Sequence, residues 1–185
     1  CHTMRMEVYA MKQTISLLLC ALFLCAGVIG CGDKQNSPRS SVSLDEISAA
    51  ISAEMKKELM EDGSFTEEDF ADGGVPNFDF LRLSDAGFAL PVTFDRARLE
   101  DALLVQNRMN VKSDLIVVLK AKGDADVPEL ENYAKALRDA QYKTWERYLP
   151  DQFEKVQQNV TKTVGRYVIY VTCDEPQRVA DAVEN

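Results

Sequence analysis

Histidine is almost missing from this sequence: of 185 residues only His2 carries an imidazole. Cysteine is scarce in the same way, with Cys1, Cys20, Cys25 and Cys31 crowded at the start and Cys173 alone thereafter. Beyond residue 31 the chain therefore has no general base of the imidazole type and a single thiol. Ser-His-Asp and Cys-His nucleophilic mechanisms lose their base, zinc sites built from His or several Cys lose their ligands, and no disulfide can close between residues 32 and 185. No cofactor and no metal site is expected. Clustered positive charge is absent as well. Basic side chains number 21 against 30 acidic, for a net charge of −9, and the longest basic run is Lys56-Lys57. A nucleic-acid partner is excluded on that balance, because phosphate neutralisation requires grouped Lys and Arg. Anionic lipid would repel such a domain too. There is no internal repeat, and no apolar run reaches the roughly 20 residues of a membrane-spanning helix.

What the sequence does have is an organised N-terminus. Ile15 to Gly30 reads ISLLLCALFLCAGVIG without a charge, and Lys12 is the only charge between Met11 and that run. A basic start, an apolar stretch and small residues at its end make up a secretory signal peptide. Residues 1–30 are read as that leader, with the start of translation expected at Met11. Its last residues, Val28, Ile29 and Gly30, followed by Cys31, resemble a bacterial lipobox. Gly30 gives a protease close access to the bond, and the Cys31 thiol is the soft nucleophile that a diacylglyceryl group alkylates. The expectation is a membrane partner reached through lipid on Cys31, where two acyl chains supply the two signals of stable anchoring. Cleavage before Cys31 removes Arg5, Lys12 and Glu7, which lowers the counts to 19 basic and 29 acidic side chains and the net charge to −10. Residues 31–42 read as the lipidated cysteine and a flexible polar tether.

Residues 43–185 are expected to form one α+β domain: a small, mostly antiparallel sheet with a C-terminal hairpin, covered by helices. Ser43 and Glu46 have the spacing of a capping box, Val42 can staple onto Ile47, and Leu44, Ile47, Ile51, Met55 and Leu59 mark one helical face. Residues 61–77 are broken by Asp62-Gly63 and Gly73-Gly74 and carry six carboxylates, without calcium-loop spacing; they read as an acidic connection with at most one short helix at Thr66 to Phe70. Residues 78–94 are apolar but irregular, and no element is assigned to them. Leu99, Ala102 and Leu103 predict a second helix over Asp95 to Gln106, and Leu115 to Leu119 a strand buried on both faces. Asp126 with Glu129 opens the longest helix, Pro150 ends it and starts a shorter one, and Asp174 is expected to cap a last helix through Val183. Val160 to Val164 and Tyr167 to Thr172 flank Gly165-Arg166, a two-residue connection of the type II′ kind. Cys173, at the end of an apolar run, reads as a small buried hydrophobe.

Three short patterns carry a resemblance: Asn110-Val111-Lys112-Ser113-Asp114, Tyr148-Leu149-Pro150-Asp151-Gln152-Phe153 and Gly165-Arg166-Tyr167-Val168. With the lipobox, they make the chain similar to the lipoproteins grouped as domain of unknown function 4358. Those relatives often carry an acid where this chain has Leu115. The resemblance implies an extracytoplasmic anchor and an α+β domain, and it implies no activity.

The function expected is accordingly that of a lipid-anchored, extracytoplasmic binding or interaction module on the outer face of the bacterial cell membrane, engaging an envelope protein or a wall component. The alternative is an envelope hydrolase using a carboxylate pair, with Glu131, Glu146 and Asp151 as candidate acids. Trp145, Tyr148 and Tyr167 are candidates for an aromatic ligand site, set against ordinary core packing.

Overall fold

The structure, a computed structural model, describes residues 42–183. The expected leader, the lipobox residues Val28, Ile29 and Gly30, Cys31, and the tether up to residue 41 lie outside the described residues. The elements run α1 (Leu44–Glu61), β1 (Phe78–Arg82), β2 (Leu99–Asn107), β3 (Leu115–Ala121), α2 (Val127–Trp145), α3 (Pro150–Gln157), β4 (Val160–Val164), β5 (Tyr167–Thr172) and α4 (Pro176–Ala182). The sheet has the order β1-β2-β3-β5-β4 and every pairing is antiparallel. This is the α+β arrangement that the sequence predicts.

Side chains alternate across the three central strands and both faces are dry. Leu103, Val105, Ile116, Val118, Ile169 and Val171 meet Leu44, Ile47, Ile51 and Met55 of α1 and Val179 of α4. On the other face Ala102, Leu104, Val117, Leu119, Val168 and Tyr170 meet Leu130, Ala134 and Leu137 of α2. The otherwise irregular residues 83–94 add Phe88, Leu90, Val92 and Phe94 to that second core.

The helix starts show which polar side chains serve the backbone and which are committed elsewhere. In α1 the Ser43 hydroxyl accepts from the Glu46 amide and the Glu46 carboxylate accepts from the Ser43 N–H at 2.7 Å, a complete capping box. Asp126 precedes α2 but makes no cap bond; its carboxylate accepts from Arg98 at 3.0 Å. Asp174 likewise leaves α4 uncapped and pairs with Lys155 at 2.8 Å. In the hairpin, Gly165 takes φ 55° whereas Arg166 does not enter the positive-φ region, which is the type II′ pattern.

The helix expected over Asp95 to Gln106 is a correction. Asp95 does start a helical turn, its carboxylate accepting from Ala97 N at 2.9 Å, but the turn is a 3-10 turn of three residues, Arg96–Arg98. Leu99 then takes φ −92° and ψ 130°, and the chain continues as the nine-residue strand β2. A strand buried on both faces has no polar alternation to distinguish it from a helix. Glu100 bulges from this strand, between Leu99 opposite Ala121 and Asp101 opposite Lys120. Residues 78–82, left unassigned from sequence, form the edge strand β1.

Candidate functional site

Two of the sequence patterns meet in space. The connection from β2 to β3 ends in Ser113 and Asp114, and α3 presents Gln152 and Lys155 on one face, three residues apart. Ser113 N donates to Gln152 Oε1 at 2.9 Å, and Ser113 Oγ to the same oxygen at 3.1 Å. Lys155 Nζ lies 3.0 Å from Asp114 and 2.8 Å from Asp174, so one ammonium ties the start of β3 to the end of β5 through α3. The Lys155 and Asp114 side chains are only 10% and 9% exposed. Burial alone would lower the pKa of Lys155, but Asp114 and Asp174 outweigh it and hold the ammonium above its ordinary value. Beside this clasp is a polar hollow of about 360 Å³ whose lining includes Lys112, Asp151, Gln158 and Asp174.

A further carboxylate lies beside the clasp. Glu58, on α1, is half-buried and its pKa is pushed up to about 7, first by burial and then by Asp174, with Asp114 and Glu175 adding and Arg178 opposing. Arg178 is itself bonded to Glu54 at 2.7 Å and Glu61 at 3.0 Å. Glu58 can therefore hold a proton near neutrality. Cys173 is buried beside this cluster, and burial raises its thiol well above the ordinary range, which keeps it from acting as a nucleophile. Among the described residues no three carboxylate, thiol or imidazole groups converge as metal ligands.

The second concave feature lies on the opposite flank of α1. Ser48, Ala49, Ser52 and Ala53 form one wall of a groove of about 640 Å³, and Phe78 and Phe80 of β1 form its floor. Asp45 and Lys56 stand at its two ends. Asp45 is bonded to Arg82, which also holds Asp101; Lys56 is bonded to Glu67 at 2.5 Å. The groove thus has titratable groups only in ion pairs.

The candidates named from sequence do not assemble. Glu131 and Glu146 are fifteen residues apart along α2 and its C-cap, about 22 Å at the helical rise, far beyond a working carboxylate pair. Glu131 accepts from Thr163 at 2.8 Å. Asp151 is exposed, and a hydrogen bond from Gln152 holds it below the usual carboxylate range, which makes it a poor acid. Trp145 and Tyr148 do contact, with ring centroids 5.6 Å apart. Tyr167, however, belongs to the core on the α1 face and donates to the Val42 carbonyl at 2.6 Å. Leu115 faces the α2 core. Sequence reasoning missed Glu58 and Lys155, since each reads locally as an ordinary helix charge. A lysine three residues after Gln152, in a helix started by Pro150, was the only available signal.

Residues 93–173 match the family described as a domain of unknown function (DUF4358). The match covers β2 to β5 and contains Asp114, Gln152 and Lys155. The clasp is thus built almost wholly within the DUF4358 segment, whereas α1 and β1, which form the groove, precede it. No curated protein and no solved structure matches the chain.

Proposed function

We propose that this chain is a lipid-anchored protein of the bacterial cell envelope, held on the outer face of the membrane through Cys31, whose folded domain binds a partner rather than transforming one. The observation that carries the binding reading is the groove between α1 and β1: small side chains, two aromatic rings and paired charges, with no unpaired acid or base to do chemistry. The lipobox resemblance at Val28 to Cys31 supports the anchor. Growth of a bacterium expressing the full chain on a labelled fatty acid tests it. Wild-type protein takes up label and sediments with membranes, and Cys31→Ser does neither; equal labelling of both, or of neither, removes the anchor from the reading. Photo-crosslinking in the same intact cells tests the binding role. A specific adduct is expected, and its absence despite efficient surface crosslinking counts against the role.

A carboxylate-pair hydrolase is the second reading, and Glu58 favours it: a proton held near pH 7 beside Asp174 is what a general acid requires. Asp174 is bound by Lys155, which opposes it. Hydrolysis of cell-wall fragments by the purified full chain, abolished in Glu58→Gln, would replace the binding reading with this one.

A further inference from the structure

The outer edge of β1 is closed at both ends and open in the middle. Leu83 N donates to Ala102 O at 3.0 Å and Arg108 N to Asn77 O at 2.8 Å, so the odd-numbered residues of this strand turn their backbone groups toward β2. Phe78, Phe80 and Arg82 turn theirs outward. Phe78 N is taken by Val75 O at 3.1 Å, Arg82 N by the Asp85 carboxylate at 2.7 Å, and Arg82 O by Asp85 N at 2.9 Å. Among the described residues this leaves the Phe78 carbonyl and both backbone groups of Phe80 without a protein partner. An exposed edge strand is a template for another strand unless something blocks it, and here the unblocked part lies alongside the α1 groove.

We propose that the groove takes an extended peptide segment of a partner, added antiparallel to β1 as a sixth strand. The inference rests on the binding reading above and names its ligand class. Main-chain bonds to Phe78 and Phe80 would supply affinity, and alternate side chains of the segment would enter between the two rings and the Ser48, Ala49 and Ser52 side of α1, which small residues leave open. Asp45 and Lys56 are eleven residues apart on α1, about 16 Å, the length of roughly five extended residues. Charge distinguishes the two ends of the groove. At the Arg82 end two carboxylates, Asp45 and Asp101, share one guanidinium, which leaves one negative charge in excess, and the Asp45 side chain is 86% exposed; at the Phe78 end the Lys56 ammonium is already neutralised by Glu67. A segment running antiparallel to β1 enters at Asp45 and leaves at Lys56. It therefore carries a basic residue on its N-terminal side, followed by apolar residues at alternate positions and an uncharged C-terminal side.

Selection of a phage-displayed hexapeptide library on the full chain tests this. Enriched peptides are expected to share that pattern, to bind Ser52→Arg and Ala49→Arg at least ten-fold more weakly than wild type, and to slow hydrogen exchange over Phe78–Arg82 of the wild-type protein. The exchange measurement needs no variant, so a folding defect in either substitution does not blunt the test. No enrichment, peptides bound equally by both variants, or unchanged exchange at Phe78–Arg82 each overturns the proposal. If the crosslinked partner from intact cells is retained by a folded Ser52→Arg protein, the groove is wrong and the binding module stands; if wild type yields no partner, the binding reading itself has failed.

Discussion

Glu58 shows how a single side chain in this fold is set by its neighbours rather than by its position in sequence. Its carboxyl is raised from about 4.5 to about 7, so between those values the folded protein holds a proton that the unfolded chain has released. Stability must therefore fall as pH rises through that window, with the full penalty present above pH 7 and none below about pH 4.5. A shift of that size would correspond to roughly 3 kcal/mol for a fully insulated group; half-exposure to screening water reduces this to about 1–2 kcal/mol. Glu58→Gln is accordingly expected to raise Tm by a few degrees at pH 8 and to leave it unchanged at pH 4, measured by thermal melts of the two proteins. An equal gain at both pH values would show that packing, and not charge, is what the substitution relieves. The sequence hides this residue because Asp114, Asp174 and Glu175 reach it across 56 to 117 positions of chain. Locally Glu58 is one more charge on an amphipathic helix.

At the scale of elements, legibility followed how many independent local signals agreed. Helix α1 has a capping box and a 3.6-residue apolar period, and both are present in the sequence and in the fold. The β4–β5 hairpin had β-branched runs either side of a glycine that takes φ 55°. Strand β2 had contradictory signals: Asp95 is a true helix start, but for a single turn, and a strand dry on both faces offers apolar residues at every spacing, helical ones included. The clasp was illegible because its members come from three elements. Its energetics follow from burial. Lys155 and Asp114 are both about nine-tenths buried, so removing Lys155 leaves Asp114 charged and without its ion-pair partner in the interior, at a cost of about 3 to 5 kcal/mol. Lys155→Met should destabilise by that amount in urea titrations. Lys155→Met with Asp114→Leu should recover most of the loss, because Asp174, the remaining partner, is 70% exposed and keeps its water. A double variant no better than the single one would mean that the pair contributes net stability rather than merely tolerating its own burial.

For the described domain as a whole, the decisive feature is that two cores share one set of strands. Ile116, Val118, Ile169 and Val171 face α1 and α4, while Val117, Leu119, Val168 and Tyr170, their chain neighbours, face α2. Neither core can melt while β3 and β5 stay paired in register, since a strand that loses one dry face exposes every second side chain of the same backbone segment. The domain should therefore unfold in a single step. Trp145 is the one tryptophan in the chain and is buried at the end of α2, so its fluorescence follows the α2 side, while far-UV circular dichroism follows all helices. The two urea transitions are expected to coincide. Ile51→Ala on the α1 face and Leu130→Ala on the α2 face, both at fully buried positions, should each cost about 3 kcal/mol and shift both probes by the same amount. If Ile51→Ala moved the dichroism transition and left the tryptophan transition in place, the two layers would be separate folding units, and the open edge of β1 would then be exposed by partial unfolding rather than by the native fold.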